Sequence, residues 1–256
     1  MRKLSLFLGV LLLTTTALTL TAGVTGAAAS TYQYSGKTSA NPWLGVEGDI
    51  STDSESVPND LGYHILNYVG LAQSGSCDSG ACWIQAGNSL GATFSSGNPN
   101  YCYSTYVQAY MEEADVNNYD CVAYANTQIP LIQNDYYTTF YTGTCSGGDG
   151  LSDAYIYNGS AWTLIGQAWL PSCAGSSAVD ALTEFLEGPG QTGFPTLGEY
   201  EYFGTNGSGG QSSGTILQQY NGSAWTPWTT SLQAGPNSPL NIFINGYQYD
   251  AFGTWG

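Results

Sequence analysis

The chain has 256 residues, of which 9% are charged, and 19 acidic side chains stand against three Lys and Arg residues. Such a chain cannot build a basic patch, which excludes nucleic-acid binding through phosphates and attraction to anionic lipid. Hydrophobic residues make up 42% of the sequence and aromatic residues 14%. This is enough to form a core and argues against intrinsic disorder.

Residues 1–29 have the features of a secretory signal peptide. Arg2 and Lys3 precede an apolar stretch over residues 4–20, and small residues ending in Ala27–Ala29 follow. A positive region, an apolar region and an A-x-A site define such a leader. A membrane anchor is the alternative, but threonines interrupt the apolar stretch and no later stretch is long enough to span a bilayer. We therefore expect cleavage, a secreted extracellular protein without a membrane partner, and a single domain over residues 30–256.

All six cysteines follow the leader, and an even number in an exported chain predicts up to three disulfides. We expect neighbours to pair in order, although six cysteines allow other pairings. The expected pairs are Cys77–Cys82, Cys102–Cys121 and Cys145–Cys173. A zinc site is the weaker alternative, because the sequence has no CxxC pair and His64 is the only histidine. We expect neither a metal nor another cofactor.

The segments after the leader show the alternation of β-strands. Short runs rich in Tyr, Thr, Val and Ile are separated by Gly, Ser, Asn and Pro, which predicts an all-β sandwich or barrel with almost no helix. Asn-Gly pairs, which favour tight hairpin turns, occur at residues 158–159, 221–222 and 245–246. The heptapeptide YNGSAWT occurs twice, which we interpret as two similar hairpins.

Strand parity assigns candidate residues to faces, because successive side chains of a strand point to opposite sides. Trp83 and Gln85 share a face opposite Ile84 and Ala86. In residues 103–113 the alternate positions Val107, Ala109 and Met111 are predicted to be core. The opposite face is both aromatic and polar, as expected of the floor of a substrate groove, and carries Tyr106, Gln108, Tyr110 and Glu112.

Glu184 lies in the segment of residues 178–187, where it shares a face with Asp180 and Leu182, whereas Glu187 points the other way. A single histidine without a matching Ser or Cys motif gives little support to a Ser-His-Asp or Cys-His mechanism. Carboxylates are the reactive groups present in quantity, and they can act as one base or as an acid/base pair. A glutamate on a strand face is more commonly a solvated surface residue.

Six short segments, in order between residues 41 and 187, resemble the glutamic peptidases of the eqolisin type, which are secreted acid proteases. The segments are NPWLGV (41–46), NYVGL (67–71), WIQAG (83–87), AYME (109–112), ND (134–135) and TEFL (183–186). The resemblance implies a concanavalin A-like antiparallel β-sandwich, jelly-roll-like, with two curved sheets. It also implies a polypeptide substrate, no cofactor and a monomer.

The resemblance further implies roles for single residues. Glu184 would be the general base that activates water, and Gln85 would orient that water and stabilise the oxyanion through its amide. The residues that would bind the substrate are Glu112, Trp83, Tyr110 and Tyr68. Where the family has Asp-Gly after the V-G-I strand, this chain has Ala72 and Gln73. A catalytically silent relative therefore remains an alternative.

Two further interpretations stay open from the sequence. Glu112 and Glu184 could be the two carboxylates of a β-sandwich glycosidase, for which a carboxyl separation of about 5–5.5 Å would indicate a retaining enzyme. Alternatively, the aromatic residues could stack on sugars in a lectin-like or adhesion module without catalysis. A Gln close to one Glu at the centre of the cleft would favour the peptidase. The acidic composition also predicts greater stability near pH 4 than near pH 8.

Overall fold

The computed structural model describes most of the chain after the leader. The described residues are 31–51, 55–56, 64–77, 80–91, 107–117, 119–128, 134–157, 160–174, 177–187, 196–197, 201–203, 217–228, 233–234, 241–244 and 252–255. The proposed signal peptide, the Asn-Gly pairs at 158–159 and 245–246, and Tyr106 lie outside them. Among the described residues, no helix is long or apolar enough to cross a membrane.

The described residues form β-strands and no α-helix, which confirms the all-β prediction. The strands are β1 (Thr31–Trp43), β2 (Gly45–Ser51), β3 (Glu55–Ser56), β4 (His64–Ser74), β5 (Ala81–Gly91), β6 (Gln108–Ala114), β7 (Tyr119–Gln128), β8 (Asn134–Ser146), β9 (Asp149–Tyr157), β10 (Trp162–Leu170), β11 (Ser177–Glu187), β12 (Thr196–Leu197), β13 (Glu201–Phe203), β14 (Gln218–Tyr220), β15 (Trp225–Pro227), β16 (Gln233–Ala234), β17 (Asn241–Ile244) and β18 (Phe252–Trp255).

Two antiparallel sheets account for nearly all of these strands. The first has seven strands in the order β16-β1-β11-β4-β5-β6-β7. The second has nine strands, in the order β10-β9-β8-β2-β13-β18-β17, with β14 and β15 attached beside β2. A separate pair joins β12 to β3. The non-sequential position of β11 between β1 and β4 brings residues far apart in the sequence to the centre of the seven-stranded sheet.

The main core lies where alternate side chains of the two sheets meet. Val69 and Leu71 of β4 are buried in it together with Ile84 of β5 from the seven-stranded sheet. Ile156 of β9 and Leu170 of β10 come from the nine-stranded sheet. Strands with period-two alternation place one face on such a core and leave the opposite face for other use.

The Asn-Gly pair at residues 221–222 forms the turn of a hairpin, as its sequence predicts. Tyr220 of β14 pairs with Trp225 of β15, and Gly222 has a φ of 96°, in the left-handed region that glycine tolerates. The Asn221 side chain accepts hydrogen bonds from the backbone N–H groups of Ser223 and Ala224 at 2.9 and 3.0 Å. This side-chain bonding fixes the turn.

Two of the expected disulfides are present. Cys77 is bonded to Cys82 with a Cα–Cα distance of 5.0 Å, and Cys145 is bonded to Cys173 with 5.2 Å. Cys121 is also in a disulfide. Its expected partner, Cys102, lies outside the described residues.

The two bridges should contribute unequally to stability, because the chain segments they close differ in length. The sequence separation is 5 residues for Cys77–Cys82 and 28 for Cys145–Cys173. Loss of chain entropy predicts contributions of about 2 and about 3.5 kcal/mol, respectively. We expect the double variant Cys145→Ser/Cys173→Ser to melt at a lower temperature than Cys77→Ser/Cys82→Ser in calorimetry. Equal melting temperatures would contradict this entropic account.

Candidate active site

The face of the seven-stranded sheet turned away from the main core, here called the outer face, carries the residues singled out in the sequence. On β6, Ala109 and Met111 lie in the main core, whereas Tyr110 belongs to a second hydrophobic cluster. Leu66 and Tyr68 of β4 are in that same second cluster. Strand parity therefore places these side chains on the two faces that the sequence predicted for them.

The strand register aligns five residues across the outer face in what we call the central row. Asp180 pairs with Gly70, Gly70 with Gln85, Gln85 with Glu112, and Glu112 with Cys121. Because directly opposite residues of antiparallel strands share a face, these positions form a line across β11, β4, β5, β6 and β7. The central row thus brings one amide and two carboxyl groups together.

The side-chain amide of Gln85 is held by two neighbours. Its Nε2 donates hydrogen bonds to the Tyr110 hydroxyl at 3.0 Å and to Glu112 Oε2 at 2.9 Å. Gln85 is 8% exposed and Glu112 6%, so both lie on the buried floor of the outer face. Because both amide hydrogens have acceptors, Oε1 is the atom that can accept a hydrogen bond from a water. For the amide to donate to an oxyanion, one of the existing hydrogen bonds must first be exchanged.

Glu112 has a second partner at the end of the central row. The Tyr119 hydroxyl donates a hydrogen bond to Glu112 Oε1. The Tyr119 ring packs edge-on against Trp83, with ring centroids 6.2 Å apart and an interplanar angle of 75°. Trp83 is half-buried and Tyr119 is exposed. These two rings form an aromatic border beside the Gln85–Glu112 pair.

Tyr110 occupies the next row of the outer face, opposite Gly87. Burial raises its pKa well above the ordinary value, and the charges of Glu112 and Glu184 raise it further. Tyr110 is therefore a neutral phenol that accepts from Gln85 and retains its own hydroxyl hydrogen for donation.

Gly87 keeps this row flat between Tyr68 and Tyr110. A Cβ on Gly87 would lie 1.8 Å from the carbonyl oxygen of Asn67, so the position admits no side chain. The absence of a side chain there leaves the space between the two tyrosine rings open.

Glu184 lies on the outer face of β11, as predicted, but outside the central row. It pairs with Leu66, which is displaced by four residues along β4 from Gly70. Standard strand spacings put its backbone about 16 Å from that of Gln85. Its charge contributes to the raised pKa of Tyr110, so its side chain acts on the same face.

Asp180 is the carboxyl residue of β11 in the central row. It faces Gln85 across Gly70, where a Cβ would lie 3.2 Å from the Gln85 Cβ. Burial raises the pKa of Asp180 to about 7. The next row carries Ala72 and Ala178, which line a cavity of about 510 Å³. The small side chains of this row leave space on one side of Asp180.

Sequence reasoning did not single out Tyr119 or a role for Asp180. The Tyr119 contact depends on the tight β6–β7 hairpin, in which Ala114 pairs with Tyr119. The position of Asp180 depends on the register between β11 and β4. The signal available for Asp180 was its spacing of four residues from Glu184, which puts both on one face.

A metal is a poor match for the described part of the outer face. Among the described residues, no group of three or more His, Cys, Asp or Glu side chains is arranged to hold a metal ion.

Comparison with solved structures gives the fold a class. Two structures of scytalido-glutamic peptidase, one with a transition-state analogue inhibitor and one with a peptide-based analogue, are similar with TM-scores of 0.50 and 10% sequence identity. Each covers 89% of this chain and 99% of the other. SCP-B, a member of the eqolisin family in complex with the tripeptide Ala-Ile-His, has a TM-score of 0.48 at the same identity.

No family profile matches the sequence, and a search of curated proteins finds no match. The chain thus has the β-sandwich fold of the glutamic peptidases with a sequence that has diverged far from theirs.

Proposed function

We propose that the protein is a secreted endopeptidase that hydrolyses peptide bonds in acid with a carboxyl group and a glutamine. The observation that carries this proposal is the buried Gln85–Glu112 hydrogen bond of 2.9 Å on the outer face of a glutamic-peptidase fold. The sequence criterion for a peptidase was a Gln close to one Glu at the centre of the cleft. The substrate is a polypeptide lying across this face, and no cofactor takes part.

The hydrogen-bond network gives Gln85 a defined task. Glu112 and Tyr110 fix the amide so that its Oε1 can accept a proton of the attacking water. Holding a reactant in one orientation lowers the entropic part of the barrier. A carboxyl on β11 then exchanges protons with the water and the substrate. Glu184 is the residue that the sequence predicts for this task.

The aromatic border and the second cluster provide the surface for substrate. Trp83 and Tyr119 flank the Gln85–Glu112 pair, and Tyr68 and Tyr110 lie in the adjacent row. Large rings with polar edges bind an extended chain through apolar contact and hydrogen bonds. We assign Glu112, Trp83, Tyr110 and Tyr68 to substrate binding on this basis.

The setting of the enzyme follows from the same features. Disulfides persist in oxidising compartments, which supports secretion after removal of residues 1–29. We propose that residues 30–256 are one domain and that it acts as a monomer. The chain carries 19 acidic residues, and protonation in acid relieves their mutual repulsion.

The register argues against a two-glutamate glycosidase. Two strands, β4 and β5, lie between Glu184 on β11 and Glu112 on β6, and the two residues belong to different rows. Strand spacings place their backbones about 19 Å apart, whereas a retaining pair needs carboxyls about 5–5.5 Å apart.

Incubation of the purified mature protein with denatured casein over pH 2–9 tests the proposal. We expect hydrolysis that is strongest in acid and insensitive to pepstatin. A protein that cleaves no casein at any pH would show that the outer face is not a peptidase site, and would leave the catalytically silent relative.

A further inference from the structure

The position of Asp180 in the central row assigns it a task that the sequence gave to another residue. We propose that Asp180, and not Glu184, is the carboxyl that transfers protons in the hydrolysis, acting with Gln85 across Gly70. This inference rests on the proposed peptidase function and names the residue that carries out its central step.

The register is the first argument. Asp180 and Gln85 are both opposite Gly70, so their backbones are two strand spacings apart, about 10 Å. Their side chains project from the same face toward a common space. The corresponding backbone separation for Glu184 is about 16 Å, too far for one water to contact both groups.

Gly70 supplies the second argument, because it leaves the space between the two groups empty. A Cβ at this position would lie 3.2 Å from the Gln85 Cβ and 3.1 Å from the carbonyl oxygen of Ile84. A larger side chain would therefore occupy the position where a water or a scissile carbonyl has to sit. The residue is bounded by Tyr68 in one neighbouring row and by Ala72 in the other.

Solvent access is the third argument. Asp180 is half-buried, whereas Gln85 and Glu112 are buried. Substrate therefore reaches the central row from the Asp180 side, next to the cavity lined by Ala72 and Ala178. The titratable described groups on this face around Asp180 are Glu184 on its own strand, Tyr68 on β4 and Glu112 beyond Gln85; the position opposite it on β1 is Thr38, which does not titrate.

The raised pKa of Asp180 fits a neutral carboxyl at the acid pH of the reaction. The carboxyl gives its proton to the oxygen of the scissile carbonyl, while its other oxygen takes a proton from the water. The water oxygen bonds to the carbonyl carbon, the product is a gem-diol, and the carboxyl is again neutral. In the second step the carboxyl protonates the amide nitrogen and takes one diol proton. The C–N bond then breaks, giving an acid and an amine.

Two isosteric variants separate the candidates. Asp180→Asn and Glu184→Gln each replace a carboxyl by an amide of the same shape, and neither is expected to alter the melting temperature at pH 4. We expect Asp180→Asn to lower kcat/KM on denatured casein by at least about 100-fold, the usual size of acid/base assistance. Glu184→Gln should stay within about fivefold of the wild type. Asp180→Glu, which restores a carboxyl on a longer side chain, should recover a measurable part of the activity.

The pH profile of the wild type provides a second readout. With a neutral Asp180 as the active form, kcat/KM should fall as the pH rises through about 7, the pKa of this residue. Activity that instead increases from pH 6 to 9 would overturn the proton-donating step. Full activity of Asp180→Asn, with loss in Glu184→Gln, would overturn the assignment and leave the peptidase proposal standing. A wild type without activity would refute both.

Discussion

Gln85→Ala is expected to lower kcat/KM for casein hydrolysis by about 10²–10³-fold while the protein remains folded. The wild-type side chain is fixed by hydrogen bonds to Tyr110 and Glu112 and presents Oε1 to the space above Gly70. Removing one preorganised polar group from a buried reaction site typically has an effect of this size. Steady-state kinetics at the pH of maximal wild-type activity measure it, and the loss should lie in kcat rather than in KM.

Two matched variants show whether the effect belongs to Gln85 itself. Tyr110→Phe keeps the ring but removes the hydroxyl that accepts from Gln85 Nε2, so the amide keeps its bond to Glu112 and the loss should be smaller. Tyr119→Phe removes the donor to Glu112 Oε1, one contact further from the water, and should have a smaller effect still. If either phenylalanine variant is as damaging as Gln85→Ala, the network acts as a unit and the assignment to Gln85 is wrong.

The faces of the strands could be predicted from the sequence because side-chain alternation is a local property. Parity correctly separated Ala109 and Met111 from Tyr110, and it put Trp83 and Gln85 opposite Ile84. The all-β class and the hairpin turn at Asn221 followed from equally local signals. None of these predictions needed to know which strand lies beside which.

The row in which each residue lies could not be predicted, because register between distant strands is set by tertiary packing. β11 pairs with β4 across more than a hundred residues of sequence, and a shift of four residues exchanges Asp180 with Glu184 without changing the face of either. The resemblance to a motif with one glutamate therefore selected Glu184. The observed register aligns Asp180 with Gln85, where the wider gap over Gly70 lies.

Glu113 determines the second large effect, which concerns stability. It is 3% exposed, and burial together with the charges of Asp115 and Asp120 raises its pKa to about 8. Its Oε2 has no hydrogen-bond partner among the described residues. A carboxyl in this environment is held in its neutral form, because ionisation would put an uncompensated charge beside two others.

The raised pKa fixes the sign of the pH dependence. The folded state holds the proton of Glu113 more tightly than the unfolded chain, whose glutamate has an ordinary pKa of about 4.3. The contribution to the free energy of unfolding is fully present below that value and is lost as the pH rises through about 8. Asp180, with a pKa raised to about 7, and Glu47, with a raised pKa, act in the same direction. We therefore expect the melting temperature to fall between pH 4.5 and pH 8.5.

Glu113→Gln should remove a large part of this fall, because glutamine has nearly the same shape and does not ionise. At pH 4 the variant and the wild type should melt at about the same temperature. At pH 8.5 the variant should be more stable by on the order of 3 kcal/mol, since each pKa unit corresponds to about 1.4 kcal/mol and part of the difference is lost to screening by solvent. Calorimetry from pH 4 to pH 8.5, repeated in 1 M NaCl, checks this. Salt screens surface repulsion within about 3 Å but not the burial of Glu113, so the difference between the two proteins should persist in salt. A wild-type melting temperature that rises toward pH 8, or a variant with an unchanged slope, would show that Glu113 is not held neutral in the fold.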